Sequence, residues 1–329
     1  MTVITRRHFA VALGGVVACP LVARAQQQTK PIIGWLDGRL GVPLPEINEA
    51  FRRGLAEIGF LEGREVTIEY RTTDGHPEQW SVLTPDLVRR RVAVIFAATG
   101  GAALAAKAAT KTIPIVFSTG GDPVELGLVA SLNRPAGNLT GVFVLGTEVA
   151  AKRLELLHKL VPAAASIAML AGPANTRYDQ TETSNVQSAA LALGLRLLVF
   201  NVTTDSDIAA AFATLVERKA GAVLLGGSVQ LDSRTDQIIS LAARYGLPTM
   251  SFRRSFVQAG GLLNYGPVLS EGYRLAGTYT GRILKGEKPT DLPVQLATRF
   301  EFIINLKTAR AIRLENPPLL LALADEVIE

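Results

Sequence analysis

Cysteine is nearly absent from this chain. Its single copy, Cys19, sits within the first 25 residues. The remainder can therefore build neither a disulfide framework nor a thiolate metal site, and an oxidising compartment poses it no thiol problem. Histidine is almost as scarce. Beyond residue 25 only His76 and His158 remain, far apart in sequence, which is too few for a histidine-built metal centre. No Gly-Lys-Ser/Thr follows the phosphate-loop-like STGGDP at 118–123, no G-x-G-x-x-G opens the first strand-to-helix turn, and no Gly-x-Ser-x-Gly elbow occurs. Enzyme and cofactor chemistry are thus poorly supported. Charge is modest too: the net +5 includes Arg6, Arg7 and Arg24, so only +2 belongs to the rest. One dense basic cluster, at 89–91, stands without a basic stripe or aromatic-basic interleave, and no nucleic-acid partner is expected. The N-terminal apolar run, 9–22, is too short and wrongly flanked for a stable membrane span.

What the N-terminus does carry is a three-part layout. A twin arginine (Arg6, Arg7) precedes the apolar run, and Ala23-Arg24-Ala25 supplies a small-x-small cleavage site. Residues 1–25 read as a signal peptide cleaved after Ala25, and the expected location is periplasmic. Thr-Arg-Arg-x-Phe is similar to the twin-arginine export signal; the general secretory route stays open. Lipid anchoring at Cys19 is the alternative fate, disfavoured by Pro20 and by the better site at Ala25.

After the leader, short apolar runs alternate with amphipathic segments: 32–36, 65–70, 92–97, 113–118, 166–171, 195–202, 222–227, 248–252 and 261–266. Most are continuous rather than alternating, which marks strands covered on both faces, hence parallel α/β sheets. The spacing predicts helices between them, including one over 122–135 capped by Asp122. Two stretches repeat one plan. EVTIEYRTTD…LVRRRVAVIFAATGG and LRLLVFNVTTD…LVERKAGAVLLGGS each run strand, Thr-Thr-Asp, helix, strand, glycine. Each Thr-Thr-Asp is expected to end a strand and start a helix. The chain therefore reads as two doubly wound parallel-sheet lobes in tandem, joined by a multi-crossing hinge. The Gly/Pro-rich stretch 133–147 marks the boundary, and the helix over 269–287 returns to cover the first lobe. Lobe one is assigned 30–142 plus 266–290, and lobe two 143–265 plus 291–329.

In such lobes ligands bind outside the C-terminal strand ends. Those ends are rich in Gly, Ser, Thr and Asn, which suits close backbone approach and anion binding at helix starts. Asp37, with no capping context, is a candidate reader of a ligand amine or hydroxyl; Asp122 is a second carboxylate. Tyr178, Phe252 and Tyr265 are candidates to stack on a ligand or wall the cleft, and Trp35 either does likewise or packs in the core. Ser118 and Ser228 complete the polar strand ends.

The runs FRRGLAEIGFLEGREVTIEYR, ALAAKAATKTIPIVFSTGGDPVELGLVASLNRPAGNLTGV, KRLELLHKLVP, YTGRILKGEKPTDLPVQ and FEFIINLKTA carry a resemblance over nearly the whole mature chain. It resembles the ABC transporter substrate-binding proteins related to the tryptophan-binding component. The resemblance implies a type I periplasmic-binding-protein fold, a ligand cleft between the lobes, and permease and ATPase subunits as partners. By motif it places Thr99, Gly100, Thr119, Gly120, Asp122, Asn175, Tyr265 and Gly266 along that cleft. Trp35 and Asp37 stand where members often have small or hydroxyl residues. The expected function is delivery of a small carboxylate-bearing solute, an amino acid or aromatic acid, to an ABC importer. The alternatives are a sensor subunit for a membrane receptor and an enzyme on the same scaffold.

Overall fold

The continuous apolar runs become the central strands of two sheets. The computed structural model describes residues 30–39, 45–174, 176–314 and 318–329; the leader with its cleavage site, Cys19 and Asn175 lie outside them. Lobe one begins with β1 (Ile32–Asp37), α1 (Pro45–Glu57), β2 (Thr67–Thr72), α2 (Trp80–Arg89), β3 (Val94–Ala97), α3 (Gly100–Ala109), β4 (Ile115–Thr119) and β5 (Leu139–Val144). Lobe two follows with α4 (Ala150–Leu160), β6 (Ser166–Ala171), α5 (Arg177–Ala192), β7 (Arg196–Asn201), α6 (Asp205–Glu217), β8 (Val223–Leu225), α7 (Thr235–Tyr245), β9 (Thr249–Ser251) and β10 (Leu263–Pro267). Helix α8 (Leu269–Leu284) and β11 (Gln295–Ala297) return to lobe one; β12 (Phe300–Asn305) and β13 (Glu326–Ile328) complete lobe two.

The sheet orders are β11-β5-β4-β3-β1-β2 and β13-β12-β10-β9-β8-β6-β7. Both share one winding, with the two Thr-Thr-Asp strands, β2 and β7, at matching edges. Strands β3 to β6 are buried along their whole length, as strands covered by helices on both faces must be. Each sheet lies between two apolar clusters, one around Trp35, Phe51 and Phe96 in lobe one and one around Met169, Met250 and Phe302 in lobe two among them.

Four sequence expectations need correction. Strand β12 runs antiparallel to β10, so the second sheet is mixed rather than wholly parallel. Strand β11 pairs with β5, which puts 291–297 with lobe one. The three crossings among the described residues thus fall at 145–149, 268 and 298–299, and Val268 N–H donates to the Arg299 carbonyl (2.9 Å), tying the last two together. The segment 122–135 forms turns, not a helix: Gly127 takes φ +68°, a left-handed step that interrupts helical bonding. Finally, the first Thr-Thr-Asp does not start α2 directly, because a 3₁₀ turn at Pro77–Gln79 intervenes.

Helix α8 docks on α1 backbone to backbone. A Cβ on Gly54 would lie 1.9 Å from the Arg274 carbonyl oxygen, and one on Gly277 would lie 2.1 Å from that of Phe51. Only glycine allows this approach. It carries Tyr273 to the end of lobe one that faces lobe two.

Candidate binding cleft

Strand order reverses between β1 and β3 in lobe one and between β6 and β8 in lobe two, and such switch points leave a crevice at the strand ends. At the first crevice Asp37 is buried. Its carboxylate accepts from the Arg39 backbone N–H (3.0 Å), Arg39 Nε (2.9 and 3.1 Å), Arg39 Nη2 (2.6 Å) and the Trp35 indole N–H (3.4 Å). Burial pushes the Asp37 carboxyl up, but the Arg39 charge and these hydrogen bonds outweigh it, leaving it below its ordinary 3.8. Arg39 Nη2 also donates to the Tyr273 hydroxyl (2.8 Å), which donates to the Ala98 carbonyl (3.0 Å). Burial opposes the charge on Arg39, yet Tyr273 and Asp37 hold it protonated.

Lobe two supplies its own arginines. Arg253 Nε donates to Asp232 Oδ1, and the guanidinium pairs with both carboxylate oxygens. Arg253 and Arg153 lie over the Phe252 ring, 4.5 and 5.4 Å from its centroid. Burial raises the Tyr273 phenol, and the charges of Arg39 and of Arg253 both pull it down. Arg39 alone is bonded to this hydroxyl, while the Arg253 charge, held on Asp232, acts on it from the other lobe. Beneath them lies a fully buried pair: Arg153 Nη2 donates to Glu182 Oε1 (2.5 Å), and Glu182 Oε2 accepts from the Gly227 N–H (2.8 Å). Burial raises the Glu182 carboxyl, only partly offset by Arg153 and the Gly227 N–H. Arg153 Nε and Nη1 have no partner among the described residues.

Tyr178 projects from the first turn of α5, which Thr176 caps by accepting from the Asp179 N–H (3.1 Å). Its phenol lies against four glycines. A Cβ added at Gly120 or Gly121 would lie 3.2 or 3.5 Å from a ring carbon, one at Gly146 3.0 Å from the hydroxyl, and one at Gly227 2.3 Å from the hydroxyl and 2.9 Å from the ring. Burial pushes its phenol well above 10.0. On the hinge side a groove of about 830 Å³ opens, lined by Glu49, Arg53, Arg253, Arg254, Val268 and Arg299 among others.

The other residues singled out in the sequence hold various posts. Thr99 caps α3, accepting from the Ala102 N–H (3.2 Å), and Gly100 packs under Thr119. Thr119 Oγ1 accepts from the Gly121 N–H (3.3 Å), so it shapes the turn that bears Gly120. Asp122 accepts from the Val124 and Glu125 N–H groups (2.7 and 3.2 Å); it caps a turn instead of a helix. Ser118 is buried at the end of β4, and Ser228 bonds Gln230. Three residues take definite posts. Trp35 is wholly buried, its ring 4.6 Å from that of Phe96 and 5.0 Å from that of Phe51, so of its two readings the core one holds. Tyr265, half-buried, stacks on Phe300 (6.1 Å) and packs against the lobe-two core. Asp37 has its lone pairs occupied by Arg39, so it orients that arginine instead of reading a ligand amine. Arg39, Arg153, Glu182, Arg253 and Tyr273 escaped the sequence reading. Arg39 and Arg253 neighbour Asp37 and Phe252, which the sequence does single out, but which side chains meet is decided only by tertiary packing.

Chemically the cleft presents guanidinium groups fixed by carboxylates, an arrangement suited to an anionic, planar group such as a carboxylate. No cluster of His, Cys, Asp and Glu among the described residues could hold a metal ion. A model of the ABC transporter substrate binding protein family matches residues 43–328. The chain belongs to that family. A curated relative, the tyrosine-binding protein of Clostridioides difficile (strain R20291), is 25% identical over 275 residues, 83% of this chain and 78% of its own length. Among solved structures, an ABC domain from Streptococcus pneumonia in complex with L-Trp superposes with a TM-score of 0.81 at 25% identity, covering 91% of this chain and all of the other (100%). A ligand-free, open substrate-binding protein with adhesive properties from Clostridium difficile superposes at 0.62 and 24% identity, covering 87% of this chain and 96% of the other. The fold of this family member is thus that of type I periplasmic binding proteins. Among the described residues no helix is long and apolar enough to cross a membrane.

Proposed function

We propose that this protein is the exported, periplasmic solute-binding component of an ABC importer, and that it holds a small amino acid or aromatic acid by its carboxylate between the lobes. The observation that carries this reading is a fixed guanidinium at the strand ends of each lobe, Arg39 bonded to Tyr273 in lobe one and Arg253 over Phe252 in lobe two. Each guanidinium is already held by a carboxylate, Asp37 or Asp232, so little side-chain freedom is lost on binding. The relatives' ligands, tyrosine by name and L-Trp in a complex, favour an aromatic amino acid. Binding closes the lobes about the three crossings, and the closed form docks on the permease, whose ATPase drives uptake. The better superposition on the L-Trp complex than on the open, ligand-free structure supports that cycle. Export follows the 1–25 leader, cleaved after Ala25, by the twin-arginine route.

A thermal-shift panel of amino acids, aromatic acids, short carboxylates, sugars and nucleosides tests the reading. At solute near 100 times its Kd, linkage adds about 2.7 kcal/mol, several degrees at ~2–4 °C per kcal/mol. A rise confined to carboxylate-bearing aromatic solutes is the expected result. A rise for sugars alone, or none in protein shown ligand-free by native mass spectrometry, refutes it.

A further inference from the structure

Tyr178 touches both lobes at once. Its backbone belongs to lobe two, on the first turn of α5. Its ring rests on Gly120 and Gly121 at the end of β4 in lobe one and, with its hydroxyl, on Gly227 after β8, while the hydroxyl alone meets Gly146 in the first crossing. Gly120 and Gly146 are themselves bonded, the Gly146 N–H donating to the Gly120 carbonyl (3.1 Å), so the lobe-one wall of the seat is continuous with the hinge. The opposite wall is fixed as well. The Gly227 N–H is held by Glu182 Oε2 (2.8 Å), and Glu182 is held by the buried Arg153. A β-carbon at Gly120, Gly146 or Gly227 would crowd the phenol, and one at Gly121 would touch it. At Gly227 the three nearest atoms to such a carbon all belong to Tyr178. Gly227 has no left-handed φ; the space for the ring, not backbone freedom, is what glycine provides there.

We propose that Tyr178 is an interlobe latch: its ring docks into a glycine seat shared by both lobes and hinge, and thereby holds the lobes together before solute arrives. Opening the cleft must withdraw the ring from Gly120 and Gly121, exposing apolar ring surface to water, which opposes opening. The seat also makes closure all-or-none at this point, since a ring partly withdrawn forfeits its contacts over a fraction of an ångström. The latch thus sets how far the solute-free protein rests toward closed, and the fraction of binding-competent open protein scales apparent affinity. The proposal rests on the two-lobe cleft reading but not on which solute enters it.

Spin labels test it without any solute. Val82 on α2 and Leu191 on α5 are 65% and 81% exposed. With Cys19 changed to serine, Val82→Cys and Leu191→Cys give a single labelled pair spanning the lobes. Tyr178→Ala should raise the long-distance, open population about tenfold, the effect of losing one buried aromatic contact set. Tyr178→Phe keeps the ring on Gly120 and Gly121, giving up only the hydroxyl's contacts at Gly146 and Gly227, and should leave the distribution close to the parent's. Gly227→Ala should open the protein as Tyr178→Ala does, and adding it to Tyr178→Ala should change nothing further. Gly120→Ala probes the seat from lobe one, with a smaller shift in the same direction. A Tyr178→Ala distribution that overlays the parent's, in protein with a cooperative melt, overturns the latch. So does a Gly227→Ala widening that persists undiminished without the ring. These outcomes are independent of the solute panel: a flat panel with a responsive latch sinks the carboxylate reading alone, and the reverse pattern sinks the latch alone.

Discussion

Lobe one and lobe two each carry Thr-Thr-Asp where an edge strand ends, at 72–74 and 203–205. In lobe two the tripeptide is a helix start. Thr204 accepts from the Asp207 N–H (3.2 Å), and the Asp207 carboxylate accepts from the Thr204 N–H (2.8 Å), a reciprocal capping box on α6. In lobe one it is a tie. The Thr73 N–H donates to the Asp37 carbonyl (3.1 Å) and its hydroxyl to that of Gly38 (3.3 Å), which pins the loop bearing Asp37 and Arg39. One sequence phrase serves a helix in one lobe and the binding cleft in the other. The buried ion pairs differ in the same way. Asp37 collects hydrogen bonds from Arg39 and Trp35 and sits below its ordinary pKa. Glu182 has fewer donors than its burial demands and sits above. An arginine is present in both pairs; at Asp37 its charge and the hydrogen bonds outweigh burial, and at Glu182 burial outweighs them.

The contrast between the two pairs is tested most severely at Arg153. Arg153→Met strands Glu182 in the lobe-two interior and should cost about 3–5 kcal/mol by urea unfolding; replacing both partners by apolar residues should recover most of it. Asp37→Asn removes the anchor of Arg39. It should cost about 2–3 kcal/mol and weaken solute binding about tenfold by calorimetry; an unchanged Kd would detach Arg39 from the site. Gly277→Ala forces α8 off α1 and should cost about 1–3 kcal/mol; its effect on amide exchange should appear in lobe one and spare lobe two.

The pH dependence separates the two carboxylates by sign. Glu182, raised when folded, contributes stability that is full below its ordinary 4.5 and lost as pH rises through the folded value. Asp37, lowered when folded, contributes stability present above 3.8 and lost as pH falls through the folded value. A carboxyl whose pKa moves tenfold in acidity on folding changes stability by about 1.4 kcal/mol. Glu182→Gln should therefore flatten the decline above pH 4.5, and Asp37→Asn the decline on acidification below 3.8, in unfolding free energies measured across pH 3–7. The smallest effect belongs to the tripeptides. Thr204→Ala should cost about 1 kcal/mol in stability with binding unchanged, whereas Thr73→Ala should alter binding more than stability.

The strand core was legible because strands covered on both faces must be apolar throughout, and runs such as 166–171 have no other economical reading. Strand β5 was hidden by Gly141, which reads as a breaker. Its Cβ would lie 2.2 Å from the Phe117 carbonyl oxygen, so the glycine is there for close strand contact. The turn at 122–135 was misread because Asp-Pro satisfies a helix start equally well as an Asx turn. For the candidate site, glycine-rich strand ends mark the region where Tyr178 and Gly120 are found together. The arginines were invisible for a different reason. A charged residue in sequence looks solvated until tertiary structure supplies its partner, and Arg153 meets Glu182 only when α4 packs on α5.

The return of α8 to lobe one has a consequence for biosynthesis. Tyr273, Ala276, Tyr279, Ile283 and Leu292 belong to the same core as Trp35 and Phe51, and β11 closes that sheet at Ala297. As the chain emerges from the ribosome, the N-terminal lobe therefore waits for residues near the other end, roughly ten to thirty seconds at bacterial elongation rates. The first lobe begun is among the last to be finished, and until then its α1 face, with Ile47, Phe51 and Leu55, is the surface a chaperone would meet.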